Sequence, residues 1–265
     1  KELEVALKNA REANDPYILA LAANTLAAVP AHAADAKTAV ERLAGMQKDG
    51  VALDDIELVQ QAFDMNGFLA GDIDAAQAMT YNEYAQVLES KNPDTGELYT
   101  PEDLNVINWN DVGTAMLQDA IWADADKLAS DEQYKKNTVN FIAGTIAGCA
   151  YARDNADAAA KIVTAAGSQL GESHQLWMTN EVNKLIWPAA NGAGMIDEAP
   201  RKQTVDIAKT TKNETGATII TADPPADAYT NDYVTQALDL LKKDGVDTTG
   251  SSYTPIEVTL KEGGK

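Results

Sequence analysis

A short apolar run, residues 73–79, passes directly into a helix start, and this corner constrains the chain more than any other stretch. Turn residues precede the run, so it reads as a buried strand. Thr80 and Asn82 are good helix N-caps, and Tyr84, Val87 and Leu88 then carry a helical stripe. A strand that ends where a helix begins leaves free backbone N–H groups at the junction, and open α/β sheets bind ligands at such corners. An ordinary strand–helix corner is the alternative.

Further candidates for strands follow the same style. They are 56–59, 104–109, 117–123 and 256–260. Helices are expected between them. Ser130, Asp131, Glu132 and Gln133 resemble a capping box, and it opens a long helix through Val139, Ile142, Ile146 and Cys149. Asn155 starts another helix. Residues 172–187 are amphipathic, Asp197 caps the next helix, and 232–241 form the last. Alternating strands and helices predict an α/β sheet with helices on its faces. Residues 1–48 differ, reading as three helices; the third is lined by Ala36, Val40, Leu43 and Met46 and stopped by Asp49-Gly50. The expected division is therefore an α-helical segment, 1–50, and an α/β region, 51–265.

Composition narrows the function. The chain of 265 residues is 45% hydrophobic, enough to bury a core. Its net charge is −20, which disfavours nucleic acid, whose phosphates need Lys and Arg, and anionic membrane surfaces. Cys149 is the single cysteine, so no intramolecular disulfide forms, and it reads as a small buried hydrophobe. His32 and His174 stand apart in sequence, which gives little support to a histidine-based metal site or triad; no metal, cofactor or catalytic residue is expected. The nucleotide and hydrolase fingerprints GxGxxG, GxxxxGK[ST] and GxSxG do not occur. No apolar run is long enough to span a bilayer. Residues 18–33 imitate a signal peptide, but the acidic residues before them are not the basic region such a signal needs.

Several motifs occur in a telling order. Phe68, Gly71, Asp72, Asp74 and Ala75 form a "Leu-x-x-Gly-x-Val-Asp-Ala"-like element, and Met79-Thr80-Tyr81-Asn82-Glu83 follows it. Asn108-Trp109-Asn110-Asp111-Val112-Gly113 forms an "Asp-x-Gly" corner. Tyr151-Ala152-Arg153-Asp154-Asn155 opens a helix junction with Ala156 in place of a usual Pro. Trp187-Pro188, the Gly192 to Asp197 turn and Gly245-Val246-Asp247 with Gly250 complete the series. This order resembles the solute-binding proteins of nitrate/taurine-type ABC transporters, with the NMT1/THI5-like subgroup nearest.

The resemblance implies an incomplete periplasmic-binding-protein type II-like fold over 51–265, without the usual first-lobe portion. It also implies a non-enzymatic, exported (periplasmic or extracellular) protein that closes on a small ligand and delivers it to an ABC permease. A pyrimidine, a thiamine precursor or a flavin-like molecule is the implied ligand. By position, Thr80, Tyr81, Asn82, Glu83, Trp109, Asp111, Val112 and Gly113 would line the cleft. Tyr81 and Trp109 either stack on a heterocycle or serve as core aromatics. Related enzymes that make a pyrimidine precursor use histidine and cysteine, and His174 and Cys149 are expected on helices outside this cleft.

Residues 1–50, with Asn14-Asp15-Pro16 and the run to Gly50, resemble helical hairpins of the bacterial alpha-2-macroglobulin thioester domain, without its Cys-x-x-Gln motif. The second reading is a non-catalytic interaction or oligomerisation module, with homo-oligomerisation as one form.

Overall fold

A computed structural model of the chain describes residues 40, 42–52, 55–213 and 215–265. The first two expected helices and His32 lie outside these residues. The described architecture is helical. Residues 42–48 are helical (α1), followed by α2 (Asn66–Leu69), α3 (Glu83–Leu88), α4 (Ala125–Ser130), α5 (Glu132–Asp154), α6 (Ala156–Ala165), α7 (Glu172–Ile186), α8 (Glu198–Thr210) and α9 (Asp232–Lys243).

The longest helix, α5, is the axis of the core. Asp131 caps it, its carboxylate accepting from the N–H groups of Gln133 (2.8 Å) and Tyr134 (3.0 Å). Val139, Ile142, Ala143, Ile146, Ala147 and Ala150 recur at helical spacing and pack against Val234, Ala237 and Leu241 of α9. The small residues at 143, 147 and 150 let the two helices approach closely, and Ala143, Ala147, Ala150, Ala237 and Leu241 are completely buried. Helices α6 and α7 pack on each other beside this core.

The expected α/β sheet is not present among the described residues. Their only β pairings are two isolated bridges, Lys91 with Leu98 and Lys212 with Thr218. The periplasmic-binding-protein type II-like fold is overturned with it. The apolar runs at 56–59, 73–79, 104–109, 117–123 and 256–260 are not strands, because none lies beside another in register. Side chains meet their backbones instead. The Gln61 amide donates to the Gln77 carbonyl (2.9 Å) and accepts from the Gln77 N–H (2.8 Å), standing where a neighbouring strand would stand. Thr204 of α8 accepts from the Leu117 N–H (2.8 Å), and Gln203 donates to the Ala115 carbonyl (2.7 Å). Asn180 of α7 accepts from the Ile256 N–H (3.0 Å).

Helix α1 is tied to the rest of the chain across position 50. The Gln47 side chain exchanges hydrogen bonds with the Lys212 backbone (2.8 and 3.2 Å), and Gly45 lies under the Trp109 ring. A Cβ built on Gly45 would stand 2.7 Å from that ring, so glycine is what lets the tryptophan approach the helix this closely.

Candidate functional site

Asn82 and Glu89 flank the short helix α3 at its N-cap and C-cap, seven residues apart and therefore on one face. His174 of α7 inserts between them. Its Nδ1 lies 2.9 Å from both carboxylate oxygens of Glu89, and its Nε2 lies 3.0 Å from Asn82 Oδ1. The Asn82 amide is oriented by its own donation to Glu83 Oε1 at 3.0 Å. Glu83 Oε2 in turn accepts from the Met79 N–H at 3.0 Å. Both ring nitrogens are thus engaged, one by Glu89 and one by Asn82.

This network is buried. His174 is 0% exposed, and Glu83 and Glu89 are buried beside it. Residues 262–264 close it from above, since the Gly263 N–H donates to the Glu89 carbonyl (3.0 Å) and Gly264 packs on the His174 Cβ. Trp177, three residues after His174 and so on the same helical face, donates from Nε1 to the Thr80 carbonyl (2.9 Å). Its ring centroid is 6.4 Å from that of Tyr84, tilted by 44°. His174 therefore reaches the predicted corner, contrary to the expectation that it lies outside.

The predicted ligand-binding residues fall into two groups held by different partners. Thr80 and Asn82 are tied to α7, and the side chains of Asn82 and Glu83 turn inward into the network. Thr80 is exposed and Tyr81 is half-buried at the rim. Burial, then the Asp119 and Glu83 carboxylates, push the Tyr81 phenol up to about 12. Trp109 lies over α1, the Lys48 ammonium donates to the Val112 carbonyl, and Gly113 adopts a φ of 73° beside that ammonium. Asp111 is exposed on the same turn.

A second constellation was not anticipated, although its residues belong to the ordered motifs. The Arg153 guanidinium stacks over the Trp187 ring at 4.5 Å and donates from Nη1 to the Asp247 carbonyl at 3.0 Å. The Ala189 and Ala193 N–H groups donate to the carbonyls of Thr249 (2.8 Å) and Thr248 (2.9 Å). Gly250 lies against the Trp187 ring. The Arg153, Trp187, Gly192 and Gly245 motifs thus meet in one place. Beside them a shallow groove of about 340 Å³ opens between the 190–192 loop, α9 and the 246–249 loop. Its charged rim carries Asp239, Lys242 and Asp247.

Cys149 sits on α5 against the core, and desolvation pushes its thiol up to about 11. No group of three or more metal-ligating side chains occurs among the described residues. None of the described helices is long and apolar enough to cross a membrane. No protein-family model matches the chain, and comparisons with curated proteins and with solved structures return no match.

Proposed function

We propose that the chain captures a small, amine-bearing heterocycle as the solute-binding component of an exported ABC import system, handing it to a permease without chemical change. The observation that carries this reading is the Tyr81 rim. A phenol flanked by the Asp119 and Glu83 carboxylates stands on a corner braced from beneath by Asn82, His174 and Glu89. A ring can stack on a tyrosine so held, and the exposed Asp119 carboxylate attracts amino or cationic substituents, while Glu83 is turned inward onto Met79 and Asn82. The ordered motif series supports the same reading, because four of its members gather at Arg153 and Trp187.

Thermal melting of the full chain with aminopyrimidines, thiamine precursors, riboflavin, taurine and nitrate tests it. A ligand at a hundred times its dissociation constant adds about 2.7 kcal/mol, a rise of about 5 °C or more. Aminopyrimidines should raise the midpoint and Tyr81→Ala should abolish the rise. A flat response across the panel overturns the proposal.

A second reading, an interaction module, is favoured by a different observation. Val106, Ile107, Ile121 and Trp122 are exposed large apolar side chains on runs that have no ladder partner.

A further inference from the structure

We infer that residues 119–123 are a docking edge for an extended, basic and apolar segment of a partner protein; this deepens the interaction reading and shares only Asp119 with the proposed solute rim. From 114 to 124 the backbone runs without helix, turn or bend. It is anchored before this edge, where the Leu117 N–H donates to Thr204 at 2.8 Å. It is anchored again after it, where the Asp124 N–H donates to the Tyr134 hydroxyl at 3.1 Å. Between the anchors, no hydrogen bond engages the backbone of Asp119, Ala120, Ile121, Trp122 or Ala123 among the described residues.

Such a strap offers the unpaired donors and acceptors that an added strand takes up, and fixed ends lower the entropy lost on pairing. Alternation along a straight run would put Ile121 on one side and Trp122 on the other, and Trp122 is 81% exposed. An aromatic this open beside free backbone is a hydrophobic anchor without a pocket of its own.

Charge selects the occupant. Residues 101–126 contain Glu102, Asp103, Asp111, Asp119, Asp124 and Asp126 and no Lys or Arg. The first cation after them, Lys127, lies 3.7 Å from Asp124. A net charge of −20 makes a second copy of the chain a poor occupant, and favours a segment that interleaves Lys or Arg with apolar residues.

The test uses the full chain and a synthetic peptide of alternating Lys and Val, with an alternating Glu and Val peptide as control. The Lys peptide should bind, slow amide hydrogen exchange at 119–123, and weaken at high salt. Ala120→Pro, which removes one backbone donor, and Trp122→Ala should each weaken binding at least ten-fold while the melting midpoint stays unchanged. Leu185→Ala, at an exposed apolar position on α7, should leave binding intact. Absence of binding, or equal binding of the acidic peptide, overturns the inference. Binding with slowed exchange elsewhere overturns the strap while leaving the interaction reading standing. Self-association that protects 119–123 without peptide assigns the edge to a second copy and also overturns it.

Discussion

The His174 ring and the Glu89 carboxylate form a buried pair, with Nδ1 2.9 Å from both oxygens and side-chain exposures of 0% and 6%. The pair ties α7 to the end of α3, and Asn82 extends the tie to the start of that helix. One imidazole therefore spans the whole of α3 and holds the Thr80 and Tyr81 rim in place.

Removing one member of this pair leaves the other buried without its partner. Glu89→Ala should destabilise the chain by about 3 kcal/mol, read as a lower urea midpoint. Replacing both residues, as in Glu89→Leu with His174→Leu, should be less destabilising than the sum of the single changes, because no charge is then stranded. Strict additivity would show that the two residues do not interact.

Two glycines separate packing from backbone strain. Gly250 has a φ of 57°, and a Cβ there would meet the Trp187 ring at 2.7 Å. Gly245 has a φ of 78° with nothing within 4 Å of a built Cβ. Gly245→Ala should carry only the left-handed backbone penalty, about 1 kcal/mol. Gly250→Ala should add overpacking of about 1 to 3 kcal/mol and alter the near-ultraviolet circular dichroism of the tryptophans. Equal losses would contradict the Trp187 contact.

Acid should loosen the 247–250 loop. The Thr249 N–H and hydroxyl, then the Gly250 N–H and Arg153, hold the Asp247 carboxyl below its ordinary 3.8. A depressed folded value means the unfolded chain binds the proton more readily. The stabilisation is therefore present above 3.8 and lost as pH falls through the folded value. Asp247→Asn should flatten this acid limb in stability measured against pH and leave the neutral plateau lower. An unchanged acid limb would remove Asp247 from the account.

The thiol of Cys149 should resist alkylation. Its elevation to about 11 leaves little thiolate at pH 8, and it packs against the α5 core. Iodoacetamide should label the unfolded chain in urea much faster than the native one. Equal rates would mean that α5 opens readily at this point.

The helices were legible because caps and apolar stripes are local signals. Helix α5 starts near the expected place, but Ser130 ends α4 and Asp131, not a Ser130 capping box, caps α5. Asn155 and Asp197 stand at the N-cap positions of α6 and α8 as expected, though neither side chain makes a cap bond. The strands were misread because an apolar run reports burial or extension, but not whether a partner lies beside it. Nothing local reveals that the Gln61 amide meets Gln77, or that Thr204 meets Leu117. The site was legible in half. Thr80 and Asn82 marked the corner, yet the long separation in sequence between Asn82 and His174 hid their contact. A histidine three residues before a tryptophan on an amphipathic helix was the available signal. Arg153 and Trp187 appeared only as members of separate motifs, and their stacking is a product of the tertiary fold.

The side-chain clasps at Gln77, Leu117 and Ile256 have a mechanical consequence. A ladder loaded along its strands shares the force among many bonds, whereas a clasp concentrates it on one or two. Under tension these runs would peel away singly, each rupture small and uncorrelated with the next, while the α5–α9 pair stayed closed. The molecule would lengthen in soft steps before its core resisted, behaving as a stiff rod trailing extensible tethers.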